Sequence, residues 1–236
     1  LGVYSQELLL ELLATKSQFD FIVYTSSARL IQSFPRKVSP ASPLTSPDRR
    51  FLGNILRILW QQTVLPLRLR KQRASLVYSP VPEGIFYPHL RQIITIHDLI
   101  PFKYPELYPK QKYHFYYAVP ILLRHSQAVI CDSENTKKDA IAYYRVDDER
   151  MHVIYPGFNP ERFWPRPNGP VPRQFGLTRY LLYVGDMRPY KNLERILEAF
   201  ASLRLKDLQF VIAGRKDRRF YPRIRKKVGD LSLEDK

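Results

Sequence analysis

Apolar positions along this chain switch period in a repeating order. Leu8, Leu9, Leu12 and Leu13 form one helical stripe, which predicts a helix from about Tyr4 or Ser5. Phe21-Ile22-Val23-Tyr24-Thr25 then reads as a strand. Short apolar runs at 74–80, 92–96, 128–131 and 151–155 predict further strands, and the run at 92–96 is rich in β-branched side chains. Residues 112–123 read as a helix that Pro120 bends or breaks. Leu181-Leu182-Tyr183-Val184-Gly185 is predicted to be a short buried strand ended by glycine. After a turn with Pro189, the residues Leu193, Ile196, Leu197, Phe200 and Leu203 recur at helical spacing, with Asn192 placed to cap them. A second strand at 208–214 and a basic helix or loop at 218–227 follow. Strands alternating with helices predict an α/β fold built on parallel sheets.

Two proline-rich stretches interrupt this pattern. Ser33 to Arg50 holds Pro35, Pro40, Pro43 and Pro47 with several serines, and reads as a long loop without regular structure. Residues 165–176 hold Pro165, Pro167, Pro170 and Pro172 with Gly169 and Gly176, the composition of an interdomain linker. The expected division is a first domain at 1–164, a linker at 165–176, and the start of a second domain at 177–236.

Charge narrows the partners. The 236 residues carry a formal +16, which favours nucleic acid, nucleotide phosphates or an acidic membrane surface. Much of it lies in 51–73, where Arg57, Arg68, Arg70, Lys71 and Arg73 occur without an acidic residue. Leu52, Ile55, Leu56 and Leu59 line one face there, followed by Leu65, Leu67 and Leu69. Three readings stay open: a core-facing helix with a solvated basic side, contact with anionic lipid, or nucleic-acid binding. Neither a zinc-finger spacing nor an aromatic RNA-binding signature accompanies the third. The single cysteine, Cys131, excludes an internal disulfide and fits a reducing compartment. It reads as a core residue, and without paired Cys/His spacing no metal is expected. No apolar run approaches the ~18 residues of a membrane-spanning helix, and no secretory signal opens at Leu1. A cytoplasmic protein is expected, with association to the cytoplasmic membrane face a further option.

Candidate chemistry sits at predicted strand ends. Lys191 adjoins a helix start whose first N–H groups have no internal partners, an arrangement suited to an anion. Any βα unit shows the same periodicity, so a purely structural role fits as well. His97-Asp98 follows the strand at 92–96, where open α/β sheets place their ligands, although an ordinary structural hydrogen bond explains the pair equally. Asp132 or Ser133 can cap the next helix, which carries Lys137 and Lys138 early. Residues 102–108 form an aromatic, proline-punctuated loop whose rings either stack on a ligand or pack.

The run from Tyr180 to Phe200, with Gly185, Lys191 and Asn192 in order, resembles the opening of the nucleotide-sugar domain in the GT-B glycosyltransferases of family 4. That family generally transfers hexoses with retention of configuration. The resemblance implies that Lys191, six residues after Gly185, grips the donor diphosphate. The arginine often found after the glycine is Asp186 here, and the one before the lysine is Tyr190, which leaves Arg188 as the substitute cation. Thr95-Ile96-His97-Asp98-Leu99 resembles the strand-end segment of the acceptor domain. By that resemblance His97 contacts the transferred sugar, Asp98 helps form that end of the cleft, and neither is a nucleophile. The run from Val129 to Asp139 resembles the segment in which Ser133, followed by Glu134, opens a helix at the interdomain cleft. Pro156 to Phe163 resembles the crossover, where Gly157 precedes a loop facing the donor.

The implied architecture is two Rossmann-like parallel-sheet domains, the second present only in part. Gly2-Val-Tyr-Ser-Gln-Glu-Leu resembles the segment before the family's first helix, which puts the first strand upstream of Leu1. Contacts to base, ribose and sugar are expected after Lys236, so this stretch alone is expected to show little or no turnover. The implied reaction moves a mannose-type or glucose-type hexose from a nucleoside-diphosphate sugar to a saccharide or lipid-linked acceptor. The donor is a substrate, no cofactor is implied, and nucleic acid is not an expected partner. The alternatives are a polyanion-binding module or another enzyme of the same architecture, such as a sugar-phosphate synthase or an epimerase.

Overall fold

The computed structural model describes residues 2–15, 19–25, 31–32, 38–40, 50–164, 176–177, 179–203, 205 and 207–235, with backbone alone at 38–40, 50–52 and 54. The chain divides into two compact units, Leu1–Phe158 and Asn159–Lys236. The stretch expected to be a linker, 165–176, lies outside the described residues except for Gly176.

The first unit opens with helix α1 (Gly2–Ala14) and strand β1 (Val23–Thr25), which pairs in parallel with β2 (Val38–Pro40). β2 falls inside the proline-rich stretch read as a loop. Val38-Ser39-Pro40 has no apolar run to signal a strand, yet its backbone completes a ladder with β1. Helix α2 (Arg50–Lys71) follows, then a four-stranded parallel sheet in chain order: β3 (Leu76–Ser79), β4 (Arg91–Ile96), β5 (Ala128–Cys131) and β6 (Met151–Val153). α3 (Ile100–Lys103) leaves β4, occupying part of the expected aromatic loop. α4 (Gln111–Tyr113), a π-helical stretch (His114–Ala118) and α5 (Val119–His125) run on from one another. α6 (Glu134–Tyr144) joins β5 to β6.

Alternation along the strands sets the core. Ile94, Ile96, Val129, Cys131 and Met151 share one cluster with Val119, Leu122 and Leu123 of α5 and Ala140 of α6. Each large aliphatic side chain buried this way contributes about 1.5–3 kcal/mol. Pro120 neither breaks nor ends its helix. The N–H of Val119 donates to the carbonyl of His114, five residues back, and this wider turn accommodates a residue that brings a ring and no N–H. The end of α5 is closed by Arg150, whose Nη1 donates to the carbonyls of Leu123, Arg124 and Ser126 at 3.1–3.2 Å. A buried Gln92 ties β4 to the preceding loop: its Oε1 accepts from the Ile85 N–H at 2.8 Å, and its Nε2 donates to the Ile85 carbonyl at 3.1 Å.

α2 meets the core through Leu65 and Leu69, which pack with Ile85, rather than through Ile55 and Leu59. Ile55 is 40% exposed, Leu59 54% and Leu67 69%. Pro66 stands inside the helix, between Leu65 and Leu67. Arg57 is turned to use, pairing with Glu83 at 2.8 Å.

The second unit holds β7 (Tyr180–Val184), α7 (Leu193–Ser202), β8 (Gln209–Ala213) and α8 (Tyr221–Asp230), with β7 and β8 parallel. Tyr183, Phe210 and Ile212 pack against Leu193 and Leu197 of α7 and Ile224 of α8. Two ion pairs, Glu194 with Arg223 and Glu198 with Lys227, join the same two helices. The predicted burial of 181–185 is not borne out. Leu181, Leu182 and Val184 are all exposed, in a strand that pairs only with β8 among the described residues.

Candidate active site

Every sequence-predicted residue of the first unit lies at or just beyond the C-terminal end of a strand. His97 and Asp98 follow β4, Ser133 and Glu134 follow β5, and Gly157 lies past β6. The register brings two of these ends into contact: Ile96 is level with Cys131, so the next residues, His97 and Asp132, stand side by side.

His97 is nearly buried, and both ring nitrogens are engaged. Nδ1 lies 2.6 Å from Asp132 Oδ2, and Nε2 donates to the Pro80 carbonyl, 2.9 Å away, in the loop after β3. Tyr4 of α1 meets the ring edge-on at 4.7 Å between centroids. The His97 carbonyl accepts from Thr136 Oγ1 at 3.0 Å. One residue thus ties together three strand ends and the first turn of α6. Beneath it, the Tyr78 hydroxyl shares a 2.9 Å hydrogen bond with Thr95, and burial pushes that phenol's pKa well above its ordinary value.

The neighbour in sequence is not the partner. Asp98 turns away and accepts from the Ile100 N–H at 2.9 Å, at the start of α3. Between the two candidate caps of α6, Ser133 takes the role: its Oγ accepts from the Thr136 N–H at 3.1 Å, while Asp132 serves His97. Glu134 is exposed on the first turn, where a negative charge suits the helix dipole. Gly157 lies exposed with open space around the position a Cβ would take. Cys131 is the buried core residue expected, and desolvation pushes its thiol up to about 12. Sequence reasoning missed Asp132 as a partner of His97; the equal offset of each from its strand end was the available signal.

In the second unit the same end of the sheet carries Gly185, Arg188 and Lys191. The Gly185 N–H donates to the Ala213 carbonyl at 3.1 Å, extending the β7–β8 ladder. Asp186, standing where the family often has arginine, organises the turn: its Oδ1 accepts from the Arg188 N–H at 3.1 Å, and its Oδ2 lies 3.7 Å from the Arg188 guanidinium. Arg188 also reaches the Tyr190 hydroxyl at 3.4 Å. Lys191 is exposed at the end of a 3₁₀ turn, with its ammonium 5.6 Å from the Tyr190 ring centroid. Asn192 occupies the N-cap position of α7 without a side-chain cap. It takes a left-handed φ of 57°, which turns the chain into the helix instead.

Cavities follow a different distribution. One of about 500 Å³ is lined by Leu76, Arg91 and Ala128, at the strand starts and so away from His97. Another, of about 290 Å³, lies beside Arg188 and Asn192 and is closed by Arg195 and Arg223. Among the described residues no cluster of three or more His, Cys, Asp or Glu side chains could hold a metal ion. No described helix is long and apolar enough to cross a membrane.

Two α/β units built on parallel strands fit a GT-B class of architecture, and comparison with solved structures agrees. A Rickettsia africae glycosyltransferase superposes with a TM-score of 0.59 at 16% identity, covering 91% of this chain and 58% of that one. Anabaena Alr3699/HepE, solved in complex with UDP-glucose, superposes with a TM-score of 0.62 at 16% identity, covering 91% and 59%. Residues 1–162 match Glycosyltransferase Family 4 and residues 172–236 match Glycosyl transferases group 1; the chain belongs to glycosyltransferase family 4. The O-antigen chain mannosyltransferase RfbU of Salmonella typhimurium is 29% identical over 150 residues, which are 63% of this chain and 39% of that protein. The chain therefore spans well under two thirds of the length of these relatives.

Proposed function

We propose that these residues form the acceptor-side domain and the opening of the donor domain of a retaining hexosyltransferase. It moves a mannose-type or glucose-type sugar from a nucleoside-diphosphate donor to a saccharide or lipid-linked acceptor. The observation that carries this reading is the recurrence of polar strand ends in both halves of a family 4 chain, with His97 in one and Lys191 in the other. Relatives add support: one is named an O-antigen chain mannosyltransferase, and another is solved with UDP-glucose.

In this reading Lys191, Arg188 and the first N–H groups of α7 neutralise the charge that grows on the departing diphosphate. His97 shapes the sugar's surroundings, and Asp98, Ser133, Glu134 and the Gly157 loop complete that end of the site. The diphosphate assists the incoming hydroxyl on the face it leaves, which retains the anomeric configuration. Exclusion of water from the bound donor prevents its hydrolysis. The test incubates a polypeptide extended to the length of its relatives with a panel of nucleotide sugars and acceptors, and reads the anomer of any product by NMR. Product of retained configuration, with Lys191→Ala weakening donor binding about tenfold or more, is expected. Inverted product refutes the mechanism, and RNA binding insensitive to every sugar nucleotide favours a polyanion-binding module.

A second reading follows from α2. Ile55, Leu59 and Leu67 point outward from a helix whose last turn carries Arg68, Arg70 and Lys71. Exposed aliphatic side chains beside clustered cations suit the headgroup layer of an anionic bilayer, and lipid-linked acceptors reside at such a surface on the cytoplasmic face. Sedimentation with phosphatidylglycerol vesicles, lost in Leu59→Glu and Leu67→Glu and absent with neutral vesicles, is expected. Equal binding by those variants sinks it.

A further inference from the structure

The contacts of His97 fix a proton count. A carbonyl oxygen carries no proton, so the 2.9 Å contact to Pro80 requires one on Nε2. Asp132 Oδ2 and His97 Nδ1 lie 2.6 Å apart, and two bare acceptors do not approach that closely. A second proton stands between them. The ring therefore keeps no lone pair free. Asp132 Oδ1 is buried without a hydrogen-bond partner, which leaves the imidazole as the main compensation for that carboxylate. The other polar groups at the pair are the Tyr4 ring of α1, the Tyr78 hydroxyl of β3 and the Thr136 hydroxyl of α6. None is a cation that would displace the shared proton.

We propose that Asp132 is a positioning residue of sugar transfer: it holds His97 with both ring nitrogens in hydrogen bonds to Asp132 and Pro80 and a second proton in the pair. With both ring nitrogens taken up by Asp132 and Pro80, His97 then serves the reaction through the fixed placement of its ring, never as a base. This rests on the glycosyl-transfer reading above.

Asp132→Asn keeps the shape and changes the proton count, because an asparagine amide donates to Nδ1 and leaves one ring proton, on Nε2. Ring ¹⁵N spectra of this chain, assigned with His97→Gln, are expected to show two protonated nitrogens in the wild type and one in Asp132→Asn. Asp132→Glu restores the carboxylate and the second proton. In a polypeptide of the relatives' length, Asp132→Asn is expected to lower kcat about tenfold to a hundredfold and leave the donor KM within about twofold. A merely structural residue would lower stability and raise KM without moving the ring spectrum. A bare nitrogen in the wild-type ring, or full kcat in Asp132→Asn, overturns the proposal. If the extended wild type transfers no sugar from any donor, the functional reading falls, while the ring spectrum still decides the proton count.

Discussion

Gly214→Ala tests the packing beneath the candidate donor site. Gly214 follows β8 and Gly185 follows β7, and a Cβ on Gly214 would run into the Gly185 carbonyl oxygen, a backbone atom that no rotamer change can clear. The two strand ends must separate. Separation breaks the 3.1 Å hydrogen bond from the Gly185 N–H to the Ala213 carbonyl, worth about 1 kcal/mol. Overpacking adds about 1–3 kcal/mol. The reduced freedom of alanine in the unfolded chain returns about 0.4–1 kcal/mol. The net is about 1–3 kcal/mol, which in a unit of this size lowers the midpoint by roughly 5–20 °C. Scanning calorimetry should show the lower transition in the second unit alone. Gly157→Ala is the control, since open space surrounds that position and its stability effect should stay within about 0.5 kcal/mol. A Gly214→Ala chain that melts within 2 °C or so of the parent would refute the close approach of the two loops and the shape assigned to the turn that carries Arg188 and Lys191.

Three further outcomes are expected. Ser133→Ala removes the acceptor for the Thr136 N–H and should cost about 1 kcal/mol in urea unfolding, with α6 fraying first by hydrogen exchange. Arg150→Met keeps the side chain's bulk but leaves three carbonyls at the end of α5 without their guanidinium, a loss of about 2–3 kcal/mol that Arg150→Lys should recover in part. Cys131 gives a pH signature. Its thiol rises from an ordinary 9.0 to about 12 in the fold, so above pH 9 the folded state binds the proton that the unfolded chain releases. Its contribution is full below pH 9 and declines towards pH 12, at up to about 1.4 kcal/mol per unit. Burial raises Tyr78 and Tyr144 as well, so urea midpoints between pH 9 and 10, compared with Cys131→Ala, isolate the thiol.

Elements were legible where one kind of environment covers a whole run. Ile93-Ile94-Thr95-Ile96 and Val129-Ile130-Cys131 lie in the middle of a parallel sheet, and such strands read as near-continuous apolar sequence. Burial was less legible, because it depends on what the chain packs beside. Leu181, Leu182, Tyr183 and Val184 form one apolar run, yet only Tyr183 among them packs into the helix-covered cluster, and the other three are exposed. In α2 the apolar residues at 52–59 and those at 65–69 look like one stripe, but Ile55 and Leu59 are exposed, and the core takes Leu65 and Leu69. β2 gave no signal, since a three-residue strand ending in proline owes its existence to the ladder with β1.

The site was legible as a set of positions and illegible as a set of partners. Adjacent residues of a strand point to opposite faces, so the sequence pair His97-Asp98 carries no expectation of contact where a strand ends. Residues opposite one another on neighbouring strands do share a face. With Ile96 level with Cys131, the residue that meets His97 is Asp132, thirty-five positions away in sequence. Finding it needs the order of the strands and their register, which neither propensity nor motif spacing encodes. The same reasoning assigns Pro80 a role that its side chain could not suggest, because the carbonyl at the exit of β3 holds a proton on Nε2 of His97. What strand order supplies here is a hydrogen-bond sequence running across three strand ends. Its polarity is set at both ends by groups that accept, the Pro80 carbonyl and the Asp132 carboxylate.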